Sequence, residues 1–252
     1  MDVKSIKHVH LGSGLIGIGR KWGHVQSTIP NEQEVFNFLS FAVKLGISYF
    51  DTAPAYGTSE ERLAKFLTSH VQEREKLIVA TKFGEQWNTE TNEGFVDHSY
   101  EALKKSFDRS LALLKQIDLL YLHKAHMQAL QNPDVLKAFA YAKERGIKQF
   151  GASVSDLESA AYVLNSPLYS VIQFPYNKEN QTFSKIIDQA TKKGKIVVIN
   201  RPFNMGKNAD DKSEAFRFIL QKKFNGFILT GTKSIKHLQE NYTAFREAIN
   251  NL

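Results

Sequence analysis

Apolar positions along the chain follow two alternating rhythms. Short, mainly apolar runs at residues 11–16, 47–50, 77–80, 117–122, 149–152, 171–174, 196–199 and 227–229 have the length and bounding residues of buried strands. Between them, residues 32–45, 100–114, 134–145, 156–164, 183–192, 213–221 and 235–249 repeat apolar side chains at intervals of three and four, the period of an amphipathic helix. Lys44-Leu45-Gly46, Glu144-Arg145-Gly146 and Lys192-Lys193-Gly194 each place basic charge and then glycine before the next run, the expected end of a helix. Eight strands alternating with helices close a parallel barrel, so the pattern predicts an α/β fold: a (β/α)8 TIM barrel in a single domain spanning residues 1–252.

Composition agrees with one core. A chain of 252 residues with 42% hydrophobic content buries roughly three quarters of its unfolded surface. No apolar run approaches the roughly 20 residues of a membrane helix, and Met1-Asp2-Val3-Lys4 begins no signal-peptide core, so a cytoplasmic protein without membrane contact is expected. The absence of cysteine removes disulfides and thiolate chemistry. A formal charge of +7 favours an anionic partner. A phosphorylated cofactor is one such partner and nucleic acid another; the lysines and arginines are spread among acids, and no basic run carries aromatics at base-stacking spacing, so most of these charges read as solvated surface and nucleic acid is not expected. The sequence leaves oligomeric state open.

In such a barrel, the residues ending each strand converge on one mouth. Asp51, Tyr56, Lys82 and His123 all end or follow strand-like runs in units two, three and four. Reducing a carbonyl by hydride transfer needs a proton donor, a nearby positive charge and a group that positions the oxygen. Tyr56 is the expected donor, with its pKa lowered by Lys82. Asp51 would keep Lys82 charged, and His123 would orient the carbonyl by a hydrogen bond.

The segments Tyr49-Phe50-Asp51-Thr52-Ala53-Pro54-Ala55-Tyr56-Gly57-Thr58-Ser59-Glu60, Thr81-Lys82 and Leu120-Tyr121-Leu122-His123 resemble the signatures of the aldo-keto reductases, and the likeness runs from Leu11-Gly12-Ser13-Gly14, Gly19 and Trp22 to the last helix. That resemblance implies a (β/α)8 barrel, NADPH (NADP+) as cofactor, a small-molecule aldehyde or ketone as substrate, and Asp51, Tyr56, Lys82 and His123 as the catalytic tetrad. It also implies that Ser153 and Gln173 hold the nicotinamide carboxamide and that Gly231, Thr232, Lys233, Glu240 and Asn241 bind the adenosine end, with Lys233 on a 2′-phosphate. Val154 and Asn200 depart from the family pattern, which often has an asparagine and a stacking tyrosine there. Arg201 is then expected to stack or to contact a phosphate. Gly231 and His237 stand where several subfamilies carry Lys and Arg. The chain ends almost directly after its last helix, which implies an open pocket with Trp22 and Trp87 as apolar walls.

Three rival readings belong to other classes. Gly12-Ser13-Gly14-Leu15-Ile16-Gly17 matches G-x-G-x-x-G, but residues 17–23 show no amphipathic period where a dinucleotide-binding helix would begin. His8-Val9-His10 resembles a metal-binding pair but precedes its apolar run, which places it at the barrel's amino end or in a lead-in hairpin, away from the mouth. The alternative function is an NADPH-binding sensor or regulatory subunit with little turnover.

Overall fold

A computed structural model describes residues 3–22, 28–207 and 211–252. Met1, Asp2 and Gly23, on which parts of the leader and glycine-loop readings rest, lie outside the described residues. The strands are β1 (Val9–Gly14), β2 (Tyr49–Asp51), β3 (Ile78–Phe83), β4 (Glu85–Asn88), β5 (Glu93–Val96), β6 (Leu119–Leu122), β7 (Phe150–Ser153), β8 (Val171–Pro175), β9 (Ile196–Asn200) and β10 (Gly226–Thr230). Eight of them close a parallel barrel in the order β1-β10-β9-β8-β7-β6-β3-β2, while β4 and β5 form a separate antiparallel hairpin.

The predicted elements recur with small shifts of boundary. Gly46, Gly146 and Gly194 adopt φ of +82°, +94° and +67°, the left-handed conformation that ends a helix and admits glycine without a Cβ penalty. The first strand starts two residues before its apolar run because His8 O accepts from Gly226 N and Val9 and His10 pair with β10. Residues 15–16 have already left it, and Ile16–Gly19 form one helical turn in the glycine-rich stretch that shows no period.

Beyond short helical turns, a helix and a hairpin were not anticipated. A helix at Ser59–Ser69 follows β2, burying Leu63, Phe66 and Leu67. Its polar first turn, with Ser59 and Glu60 themselves buried, masks the apolar spacing. The β4–β5 hairpin has half-buried and exposed positions only, so it carries no apolar run to read.

Strand alternation divides the core in two. Tyr49, Ile78, Ala80, Leu119, Tyr121, Val171, Ile196, Val198, Phe227 and Leu229 fill the barrel, and Val3 and Ile6 join that cluster. Val79, Phe83, Leu120, Leu122, Ile172 and Phe174 pack outward against the helices. The period of two therefore puts Asp51 on the face of Tyr49, Lys82 on that of Ala80, and Gln173 on that of Val171. Three polar groups thus sit atop a barrel interior that is otherwise apolar or aromatic. Directly below, the hydroxyls of Tyr49 and Tyr121 satisfy each other at 2.9 Å, and Tyr49 stacks on Phe227 with ring centroids 4.2 Å apart.

Candidate active site

The sequence after β2 turns at once. Pro54 opens a single 3-10 turn, Pro54–Tyr56, and its fixed φ suits that position. The turn brings Tyr56 back over the strand it has just left, with its hydroxyl 3.5 Å from Asp51 Oδ1. Gly19 backs this turn so closely that a Cβ there would lie 2.0 Å from the Tyr56 carbonyl oxygen.

Lys82 is fully buried. Its Nζ donates to Asp51 Oδ1 at 2.5 Å and to the Thr52 carbonyl at 3.0 Å, and lies 4.8 Å from the Tyr56 ring centroid. Burial disfavours the ammonium, but Asp51 and Tyr56 outweigh it and hold the Lys82 pKa above its ordinary value. At Tyr56 the balance falls the other way. Burial pushes the phenol up to about 12, against the pull of Lys82. The lysine thus limits a rise and does not produce the expected fall.

His123 follows β6, its backbone N–H bonded to Phe83 O at 2.9 Å. Its ring meets that of Tyr56 edge-on, with centroids 6.0 Å apart. Burial holds the imidazole pKa below its usual value, against the opposing pull of Glu85, so the ring is neutral at neutral pH. His123 Nδ1 lies 3.0 Å from Glu85 Oε2, off the line of a well-directed hydrogen bond. At Glu85 burial works upward, but the His123 contact and Lys124 win and lower its pKa.

These groups open onto a cleft of about 620 Å³ at the carboxyl ends of the strands. Asp51, Tyr56, His123, Ser153, Gln173, Arg201, Gly231, Thr232 and Asn241 line it, as does Trp22. Lys82 lies beneath the lining, against Asp51. Four expected contacts are spent elsewhere. Gln173 Nε2 donates to Asp51 Oδ2 at 2.9 Å, using one of its two N–H groups. Lys233 Nζ donates to the Thr28 carbonyl. Glu240 pairs with Lys212 at 2.5 Å. Trp87 stands outside the lining, with the Arg20 guanidinium 4.1 Å from its ring and 5.1 Å from that of Trp22. His8 and His10 lie at the amino end of β1, opposite the cleft; among the described residues no group of three His, Asp or Glu side chains is placed to hold a metal.

The lining fits a nicotinamide dinucleotide. Asn200 Oδ1 is a buried acceptor without a partner in the same cleft as Ser153 and Gln173, and a carboxamide requires both donor and acceptor partners. Arg201, Lys212 and His237 add cationic or polar surface for phosphate. Glu85, Lys124, Arg20 and Lys212 line the cleft without having been singled out in the sequence. Glu85 was within reach, since Thr81-Lys82-Phe83-Gly84-Glu85 places a carboxylate just past a strand end. Lys212 sits in no motif and enters only through the fold.

The match to the Aldo/keto reductase family covers residues 10–214. L-galactose dehydrogenase of Arabidopsis thaliana is 28% identical over 219 residues, 82% of this chain and 66% of that protein. An uncharacterized oxidoreductase, YqkF of Bacillus subtilis, is 30% identical over 148 residues, 56% of this chain and 47% of its own. The chain spans less than two thirds of the length of each of these relatives. An aldo-keto reductase crystal structure from Pseudomonas aeruginosa superimposes with a TM-score of 0.81 at 28% identity, over 95% of this chain and 90% of that one. The holo form of a Bacillus halodurans aldo-keto reductase, 20% identical over 96% and 91% of the two chains, shares the fold at a TM-score of 0.76. The chain belongs to the aldo/keto reductase family.

Proposed function

We propose that the protein is an NADPH-dependent oxidoreductase that reduces aldehydes or ketones to alcohols. The observation that carries this reading is the buried Lys82 ammonium, bonded to Asp51 and lying 4.8 Å from the Tyr56 ring at the cleft floor. A bound nicotinamide would supply the hydride. Ser153, Gln173 and Asn200 would hold its carboxamide. Arg201, Gly231, Thr232, Lys233 and Asn241 would take the phosphate and adenosine end, with Lys212 and Glu240 beside them.

Tyr56 gives its proton to the carbonyl oxygen. With a pKa of about 12 it is fully protonated at neutral pH, so the donor is always loaded. The cost is the negative charge left on the phenol, which develops beside Lys82 in a site where water screens little. Asp51 keeps that lysine charged. His123 stands next to Tyr56 and bounds the place of the carbonyl, while Trp22 forms an apolar wall and Trp87 supports it through Arg20.

Following NADPH oxidation with a panel of aldehydes and ketones tests the reading, with Tyr56→Phe as the control and NADH in parallel. The expected result is turnover with NADPH that Tyr56→Phe removes. Firm NADPH binding without turnover on any carbonyl would overturn the reductase in favour of a nucleotide sensor.

A further inference from the structure

Arg20 follows the Ile16–Gly19 turn, where its backbone N–H donates to Ile16 O at 3.1 Å. That turn is tied to the segment carrying Tyr56. Thr58 N donates to Gly19 O at 3.2 Å, and Arg62 Nη1 donates to Ile18 O at 2.8 Å. Gly57, at φ +62°, packs so near that a Cβ there would lie 3.2 Å from Arg20 Cβ and 2.5 Å from Gly19 O. The root of Arg20 and the proton donor therefore share one backbone frame. Further out, the guanidinium packs against the rings of Trp87 and Trp22, contacts that hold its plane and leave its N–H edge for an in-plane acceptor.

Arginines that brace this fold spend their N–H groups on it. Arg62 donates to two backbone carbonyls, and Arg74 to two carbonyls and the Asp118 carboxylate. The arginine ion pairs among the described residues are those of Arg74, Arg109 and Arg217. Arg20 has none, and its Nε is buried without a hydrogen-bond partner, a costly state for a charged donor. Burial lowers its pKa against the pull of Glu85 and Tyr56, so the guanidinium is partly stripped of water near the proton donor. The other charges around Tyr56 are matched: Glu85 pairs with Lys124 at 3.5 Å, and Asp51 pairs with Lys82 at 2.5 Å. Arg20 is left as one uncompensated cation on that side of the cleft.

We propose that Arg20 anchors a substrate carboxylate, so that the site selects oxo acids, aldehydes or ketones that carry a carboxylate group. The edge of the guanidinium presents N–H groups in the geometry of a planar carboxylate, while the carbonyl oxygen at the other end of the substrate accepts from Tyr56. One negative charge meets one uncompensated cation. A phosphate, with nearly two negative charges, would exceed that match beside Glu85. The assignment rests on the carbonyl-reductase reading for its reaction, whereas the anion site does not depend on turnover.

Both tryptophans of the chain lie against Arg20, so intrinsic fluorescence reports its occupancy directly. The first probes are butanoate and methyl butanoate, which hydride transfer does not consume, titrated into the protein in the presence of NADP+. Butanoate should bind about tenfold more tightly than the ester, the size of one charge-assisted contact, and Arg20→Gln should abolish that preference. Turnover is then compared for 4-oxobutanoate, 6-oxohexanoate and 4-formylbenzoate, each against its methyl ester, a panel that varies the carbonyl-to-carboxylate spacing. At least one acid should exceed its ester about tenfold in kcat/KM, chiefly through KM, and the ratio should fall towards one in Arg20→Gln. Because each ratio compares two substrates on one protein, a general loss of activity in the variant cancels.

Equal binding of butanoate and its ester to the native protein overturns the anion site, and this readout needs no variant. A preference that survives in Arg20→Gln places the carboxylate elsewhere in the cleft and overturns the role of Arg20. Reduction of every ester as readily as its acid overturns the substrate class. If the native protein reduces no carbonyl, the reductase reading fails by itself, while the butanoate titrations still decide whether Arg20 holds a carboxylate.

Discussion

The floor and the rim of the cleft are built by different means. On the floor, Asp51, Lys82 and Gln173 are each at most 2% exposed and come from three barrel strands whose period of two aims them at one point. Their polar atoms are joined at 2.5 and 2.9 Å. On the rim, Arg201 and Met205 hold φ of 55° and 59°, a conformation that costs a non-glycine residue on the order of 1 kcal/mol or more. Lys233 and Lys212 there are tied to the Thr28 carbonyl and to Glu240. A buried, mutually paired floor binds folding and chemistry together. A rim of strained loops and partly exposed cations separates them, so substitutions there should alter ligand binding with little effect on the fold.

Removing the lysine of the floor should have the largest effect. Lys82→Met leaves Asp51 buried with Gln173 as its side-chain donor besides the distant Tyr56 hydroxyl. Breaking a buried ion pair from one side costs about 3–5 kcal/mol. Urea unfolding should show that loss together with loss of turnover, and Lys82→Met with Asp51→Asn should cost less than the sum of the single changes. Additive costs would mean the pair is not coupled. Gly19→Ala comes next. A Cβ 2.0 Å from Tyr56 O and 2.4 Å from Ser59 N meets backbone on both sides, and overpacking of that kind costs about 1–3 kcal/mol. The displaced turn carries Tyr56, so turnover should fall while NADPH affinity holds.

The same contrast decides what the sequence discloses. Strand runs, helix stops and the four residues Asp51, Tyr56, Lys82 and His123 are legible because a barrel turns one-dimensional alternation into a radial direction, and strand ends into a common mouth. The helix at Ser59–Ser69 escapes because its first turn spends buried positions on Ser59 and Glu60, which look polar and exposed. The hairpin, and with it Glu85, escapes because it buries nothing fully. The Tyr56 phenol illustrates a different limit. Sequence indicates a lysine beside it, but the sign of the shift depends on how much water is excluded, and that is a property of the packed structure.

Glu60 tests whether burial on the floor side reaches beyond the cleft. Its carboxyl accepts from Thr81 Oγ1 at 2.6 Å, and burial raises its pKa despite that bond. A raised acid stabilises the fold below its unfolded pKa of about 4.3, and that contribution is lost as pH rises through the higher folded value, where the native state must ionise a buried group. Glu60→Gln removes the dependence. The stability of the native chain relative to Glu60→Gln should therefore fall in urea titrations as pH rises above the unfolded pKa and through the raised folded one. Parallel curves would show that Glu60 titrates alike in both states.

The smallest effect on stability belongs to the rim. Lys212→Ala and Lys233→Ala remove partly exposed cations whose partners are another side chain and a backbone carbonyl, and substitutions away from a packed core usually stay within about 0.5 kcal/mol. If these lysines meet a 2′-phosphate, each variant should bind NADPH several-fold more weakly and NADH almost unchanged, as fluorescence titration would show. Lys212 lines the cleft while Lys233 must first leave the Thr28 carbonyl, so Lys212→Ala should lose more. Equal losses for the two nucleotides would move both lysines from the 2′-phosphate to the shared part of the dinucleotide. A large drop in stability would place them with the floor and erase the distinction between the two regions.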